Sequence, residues 1–289
     1  MIYLEDEELI KRILVHNSIE LGAKLNVHRL VQNFIIETNP VIQTINDKTR
    51  LAKKPIIWVY WAQGNIKMPP MVKTCFDQLN RTNADSDVIF IHDDNLNNYI
   101  NIPGYIYDKL STDKTHFSDV LRVALLAEHG GIWVDATCYC SGNVSILFPT
   151  VESESGFFAF HGDKSYITLL SNWFLASRPG DVISVLLRDA LYYYWLKQTS
   201  LEHYFLFHFM FEALYNLVDE FRKNWDASLI LYNKYPHLFQ QILFEQFDLG
   251  IWKKIMGVSM IHKLTYKYDQ NKEYHGTYLS YIINQKGGD

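Results

Sequence analysis

Apolar positions along the chain change period from one region to the next, and the period predicts the element. Leu9, Ile10, Ile13 and Leu14 fall on one helical stripe, and Leu25, Leu30, Val31, Phe34 and Ile35 on another. Residues 1–50 are therefore expected to form two helices packed on the main domain. At Pro55 the pattern switches. Ile56-Ile-Trp-Val-Tyr-Trp61 is continuously apolar, as in a parallel strand covered on both faces. Pro69-Pro70 opens a helix reaching about Arg81, with proline at its permitted first turn. Val88-Ile-Phe-Ile91 reads as a second buried strand, with His92, Asp93 and Asp94 at its exit. Short helices are expected near 96–100 and 106–110, then a long one over 117–129. Gly130-Gly131 stops it. Ile132-Trp-Val134 is the next strand, and 156–160 and 173–176 two more. Beyond Gly180 the pattern is mostly helical, over 182–197, 203–219 and 237–248, with an extended return at 257–264. Strand and helix alternate through the first half, which predicts an α/β fold with a mostly parallel sheet, an N-terminal helical segment and a helical C-terminal half. No internal repeat or linker divides residues 51–289.

Composition narrows the class. Of 289 residues, 48% are apolar and 20% charged, the balance of an ordered globular chain. The net charge of −5 lacks the basic footprint of a nucleic-acid binder. Cys75, Cys138 and Cys140 make an odd number without metal-site spacing, so structural thiols in a reducing cytosol are expected. Glu5, Asp6, Glu7 and Glu8 are the reverse of a signal peptide's basic start, and no apolar run reaches the roughly 18 residues of a membrane span. The expectation is a cytoplasmic protein, free or peripheral at the inner membrane face. From residue 250 onward six lysines face Asp269, Glu273 and Asp289, which reads either as a solvated basic face or as contact with an anionic surface.

The candidate chemistry sits in residues 116–137. Asp135 ends the strand after the glycine pair, where open α/β sheets bind ligands. It could accept hydroxyl hydrogen bonds or hold a divalent cation; an Asx turn is an equally good reading. Asp119 and Arg122 share one face of a helix that is otherwise almost wholly apolar. Either they form a structural ion pair or they grip a polar ligand at the strand ends. His208 lies in an aromatic helix between Tyr204 and Phe211, as a core histidine or a site residue. Tyr192-Tyr-Tyr-Trp195 reads first as core.

The run Phe117-Ser-Asp-Val-Leu-Arg122, Leu125-Leu126 and Gly130-Gly-Ile-Trp-Val-Asp-Ala-Thr137 resembles capsular polysaccharide synthesis proteins, bacterial sugar transferases related to glycosyltransferase family thirty-two and its DXD motif. Ile56–Gly64, Asn172–Ala176, Tyr204–His208 and His262–Tyr266 extend the resemblance in the same order. It implies a GT-A fold over residues 51–289, with residues 1–50 as a helical segment on it. It also implies a sugar nucleotide donor, with UDP-hexose the leading guess, and Mn²⁺ or Mg²⁺ as cofactor. The transfer would retain configuration, onto a lipid-linked oligosaccharide acceptor in capsule or exopolysaccharide synthesis. By the resemblance, Trp61 stacks on the base, while Asp119 and Arg122 bind the donor sugar. Asp135 meets ribose and metal, with Thr137 and His262 as further metal contacts and Lys263 at the diphosphate. His208 and Trp173 would lie on the acceptor side. Thr137 stands where the motif carries its second carboxylate, which lowers the expected metal affinity. Two rival readings are nucleotidyl transfer to a sugar phosphate, and a catalytically weak saccharide-binding protein on the same fold.

Overall fold

The computed structural model describes residues 7–40, 54–162 and 168–284. The first half contains α1 (Glu7–Thr38), β1 (Ile57–Tyr60), α2 (Pro70–Thr82), β2 (Val88–Ile91), α3 (Gly104–Leu110), α4 (Lys114–His129), β3 (Gly131–Val134) and β4 (Cys138–Cys140). After it come α5 (Phe148–Ser153), β5 (Phe157–His161), β6 (Leu170–Ser177), α6 (Val182–Lys197) and α7 (Leu206–Leu217). The chain continues through α8 (Asp219–Asp226), α9 (Leu238–Ile242), α10 (Leu249–Val258), β7 (Ile261–Lys263) and α11 (Tyr278–Asn284).

Five strands form the central sheet in the order β2-β1-β3-β6-β5. β1 runs parallel to both β2 and β3, whereas β6 is antiparallel to β3 and β5. Four of the five strands thus point the same way, the mostly parallel α/β arrangement that the alternation of elements predicts. Because side chains alternate across a strand, β1 feeds two cores. Trp58 and Tyr60 join α3, α4, α6, α7 and α1 on one face. Ile57 and Val59 join Val72 and Leu79 of α2, and Phe148 and Val151 of α5, on the other. A third cluster gathers Tyr139, Phe239, Trp252, Leu264 and Leu279 around the two-stranded β4–β7 sheet.

Several boundaries differ from the sequence pattern. Residues 7–38 are one helix, not two: Gly22 and the polar residues beside it do not break it. Its Ala23, Val27, Val31 and Phe34 are buried in the first core. The stripe from Leu9 to Leu14 and the boundary near residue 50 lie outside the residues whose side chains are described. The helix expected at 237–248 is only Leu238–Ile242, and α10 fills unassigned residues and takes in Gly257 and Val258, so the extended return begins only at Ile261. Cys138 and Cys140 sit on β4, and all three cysteines are free and buried. Tyr193, Tyr194 and Trp195 belong to the first core.

The glycine pair places the site. Gly130 and Gly131 adopt φ of 67° and 98°, a region that disfavours any side chain. A Cβ on Gly131 would stand 2.3 Å from the Ile56 carbonyl oxygen. That close approach lets Ile132 N donate to Ile56 O (2.8 Å) and Trp58 Nε1 donate to Gly130 O (2.9 Å), locking β3 beside β1 directly after α4.

Candidate active site

β1 and β3 end at the same edge of the sheet, and the antiparallel β6 begins there. Trp61, Asp135 and the Asn172-Trp173 pair therefore converge on one edge, with Ser118, Asp119 and Arg122 of α4 facing them. They line a cavity of about 690 Å³ together with Thr137, His208 and Lys263, a volume in the range of small-molecule sites.

Arg122 is the hub. Its Nε donates to Ser118 O (3.1 Å), Nη1 to Asn172 O (2.9 Å), and Nη2 to Ser118 Oγ (2.9 Å) and Asp135 Oδ1 (3.4 Å). Nη1 also lies 2.8 Å from Asp119 Oδ1. The guanidinium stands 5.3 Å from the centre of the Trp133 ring, and its side chain is 4% exposed. Its donors are occupied by protein, so Arg122 holds the two carboxylates in place. Both readings of the Asp119–Arg122 pair thus meet here: the pair is a buried ion pair, and it sits on the cavity wall.

Asp119 Oδ1 accepts from Asn172 Nδ2 (2.8 Å). Burial pushes its carboxyl up to about 6, against the pull of Arg122 and His116. Asp135 goes the other way. Burial alone would raise it, but the charges of Lys263 and Arg122, and hydrogen bonds from Lys263 and Trp133, hold it below the usual carboxylate range. Trp133 Nε1 donates to its Oδ1 (2.9 Å) and Lys263 Nζ to its Oδ2 (2.7 Å). Lys263 is itself held above the ordinary lysine value: burial works against its charge, and Asp135 outweighs burial. Both groups are ionised at neutral pH.

Three aromatic side chains on the cavity wall carry a buried ring nitrogen with no hydrogen-bond partner: Trp61 Nε1, Trp173 Nε1 and His208 Nδ1. Trp61 meets the Tyr266 ring edge-on at 5.1 Å, and Trp173 stacks on Phe160 at 4.9 Å. Burial and the nearby Arg122 lower His208 to about 3, so its ring is neutral. The three rings line the cavity beside Asp135 and Lys263, an aromatic surface that suits a ligand with apolar faces. At the rim, Tyr60 donates to Asp93 Oδ1 (2.6 Å), and Lys114 lies 2.8 Å from the other Asp93 oxygen.

His262 is not part of this wall. It alternates with Lys263 along β7, so its ring points away from the cavity toward Phe239 (4.8 Å) and Tyr139 (6.3 Å), fully buried. Neither ring nitrogen has a partner, and burial lowers it to about 4. It cannot share a metal with Asp135. Nor do the remaining donors suit a divalent ion. Asp135 Oδ2 and Thr137 Oγ1 both bond the same Lys263 ammonium, at 2.7 and 2.8 Å. Among the described residues no group of three His, Cys, Asp or Glu side chains could hold a metal.

Sequence reasoning gave no role to Asn172, although it orients Asp119. The missing signal was direction: the antiparallel β6 presents its first residues at this edge, whereas a parallel strand would present its last. Tyr266 and Lys114 were likewise assigned nothing, because neither lies near the glycine motif in sequence.

No curated protein matches the sequence. Among solved structures, one described as "PaToxG Glycosyltransferase" is similar over 96% of this chain and 98% of its own, at 14% identity and a TM-score of 0.39. A likeness at that level transfers no residue roles. The sequence profile of capsular polysaccharide synthesis proteins, in contrast, matches residues 11–282, and the chain belongs to that family.

Proposed function

We propose that the chain is a retaining glycosyltransferase of capsule or exopolysaccharide synthesis, moving a hexosyl group from a UDP-linked donor to a lipid-linked oligosaccharide. The observation that carries this reading is the pairing, within one cavity, of the Lys263 ammonium beside Asp135 with an aromatic wall of Trp61, Trp173 and His208. The first suits a diphosphate and the second a sugar. Family membership supplies the polysaccharide context.

In this reading Trp61 stacks on the base at the end of β1. Asp119 Oδ2 accepts a hydrogen bond from a hydroxyl of the donor sugar, its other oxygen fixed by Asn172 and Arg122. Asp135 holds ribose and keeps Lys263 charged. As the anomeric carbon–oxygen bond breaks, its electron pair leaves on the diphosphate, and Lys263 stabilises the developing charge inside a partly dry cleft. The acceptor hydroxyl oxygen bonds the anomeric carbon from the same face, and its proton passes to the departing diphosphate oxygen. Trp173 and His208 form the wall on the acceptor side, where His208 in its neutral state can donate or accept. Among the described residues no helix is long and apolar enough to cross a membrane, and Lys253, Lys254 and Lys267 are exposed. Contact with an anionic lipid surface is part of the proposal.

The test is nucleoside diphosphate release from a panel of sugar nucleotides, with NMR of the product anomer. Donor-selective release that Asp135→Ala abolishes supports the assignment. Pyrophosphate release would point to nucleotidyl transfer, and full activity in Asp135→Ala would remove this site from the reaction.

A further inference from the structure

We infer that the transfer runs without a divalent cation, because the Lys263 ammonium sits where a metal ion would bridge positions 135 and 137. The inference rests on the glycosyltransferase reading above and specifies the cation of that site.

The backbone delivers the ammonium there. β7 pairs antiparallel with β4, placing Lys263 opposite Cys138. Leu264 N donates to Thr137 O (2.9 Å), tying the end of β7 to the residue just before β4, and Lys263 N donates to Pro236 O (2.9 Å) on the other side. From that anchor Nζ reaches Asp135 Oδ2 at 2.7 Å and Thr137 Oγ1 at 2.8 Å, with the side chain 18% exposed. An ammonium has three donors. Two are engaged by these oxygens, and the third is left for a ligand oxygen in the cavity that Lys263 lines.

Charge and ligand chemistry exclude a metal beside it. Asp135 is one carboxylate already facing two cations, Lys263 at 2.7 Å and Arg122 at 3.4 Å. A divalent ion placed there would meet two positive charges within contact range and gain only one anionic oxygen not held by Arg122. In nucleotide sites Mg²⁺ takes one or two protein carboxylates beside phosphate oxygens and waters, and here the one carboxylate at the strand end is already neutralised by Lys263 and Arg122. Thr137 supplies a neutral hydroxyl, His262 faces the third core, and no other carboxylate completes a set among the described residues. Thr137 and Lys263 thus make one consistent exchange. Where a second carboxylate would serve a metal, a hydroxyl serves an ammonium.

The reaction still balances. The anomeric carbon–oxygen bond breaks toward the diphosphate, which takes the electron pair and then the acceptor's proton. Lys263 stays protonated throughout and acts only as a fixed charge.

Binding of UDP, GDP and TDP by calorimetry, in EDTA and in MnCl₂, tests this on the full chain, with donor turnover measured beside it. Wild type should bind its preferred nucleotide within about threefold in the two conditions, turn over its donor in EDTA, and show no thermal shift with MnCl₂ alone. Lys263→Met should lose more than about 30-fold in nucleotide affinity, the cost of removing one partner of a buried charge pair, whereas Lys263→Arg retains part of it. The double variant Thr137→Asp, Lys263→Ala should regain nucleotide binding only with Mn²⁺, which a merely structural lysine would not produce. EDTA-sensitive binding or turnover of wild type, restored by Mn²⁺, overturns the metal-free inference and leaves the transferase reading standing. No sugar nucleotide or nucleotide binding in either condition overturns both.

Discussion

Arg122 and its two acids decide what the site can do. A guanidinium with every donor engaged is a strut, and its two carboxylates are left with different jobs. Asp135 is held ionised by two cations, while Asp119, deeper and paired mainly through one oxygen, titrates near 6. If the ionised Asp119 binds the donor sugar, kcat/KM should rise with pH through about 6 and fall away below it, because protonation removes the acceptor. Asp119→Asn keeps the shape and still accepts from Asn172, but loses the charge. It should lower kcat/KM by about 10- to 100-fold, the worth of a hydrogen bond to a charged group, and erase the acid limb. A pH–rate profile of wild type and variant reads both. An acid limb near 6 that persists in Asp119→Asn would assign that titration to another group and take Asp119 out of the donor site.

At the scale of elements, the glycine turn between α4 and β3 is what brings the helix-borne acid and the strand-borne acid together. Gly131→Ala puts a methyl 2.3 Å from Ile56 O at φ of 98°, and the obstacle is backbone, which cannot rotate aside. The variant should lose more than about 3 kcal/mol of stability, read as a lower urea midpoint; a midpoint equal to that of wild type would show that β1 can move away from the turn. This turn was legible in the sequence because glycine pairs after a helical apolar run have few other uses. β1, β2, α4 and α6 were legible for a related reason: unbroken apolar runs or helical spacing leave little choice. What was not legible depends on partners distant in the chain. The direction of β6 is set by pairing with β3 and β5, and with it the role of Asn172. The single α1 follows from packing against α6 and α7, where Phe34 meets Tyr193 at 5.6 Å and Lys24 reaches Glu212 at 2.9 Å. His262 was misplaced because strand alternation puts neighbouring residues on opposite faces. Only the β4–β7 register shows that Lys263, not His262, faces Asp135.

Across the whole molecule, two buried carboxyls give stability an unusual pH dependence. Asp181 joins β6 to α6: its Oδ1 accepts from Ile183 N (3.0 Å), capping the helix, and Asn224 Nδ2 donates to it. With its side chain 2% exposed, burial outweighs those bonds and raises it to about 6. An unfolded aspartate titrates near 3.9, so the folded state holds the proton more tightly. The sign comes from that difference. The contribution is fully present below about pH 4 and is lost as pH rises through about 6, where the carboxylate must be carried charged in the core. Asp119, raised to about 6 as well, adds to the same slope, while Asp135, held low, opposes it at more acidic pH. Asp181→Asn keeps an oxygen for Ile183 N and removes the charge. Its advantage over wild type should therefore be small at about pH 4.5 and grow to as much as about 3 kcal/mol near pH 7.5. Urea unfolding of both proteins across that range gives the difference directly, and subtracting the two curves cancels the contributions of Asp119 and Asp135. A difference that stays constant with pH would mean that the Ile183 and Asn224 hydrogen bonds, rather than burial, set the charge state of Asp181.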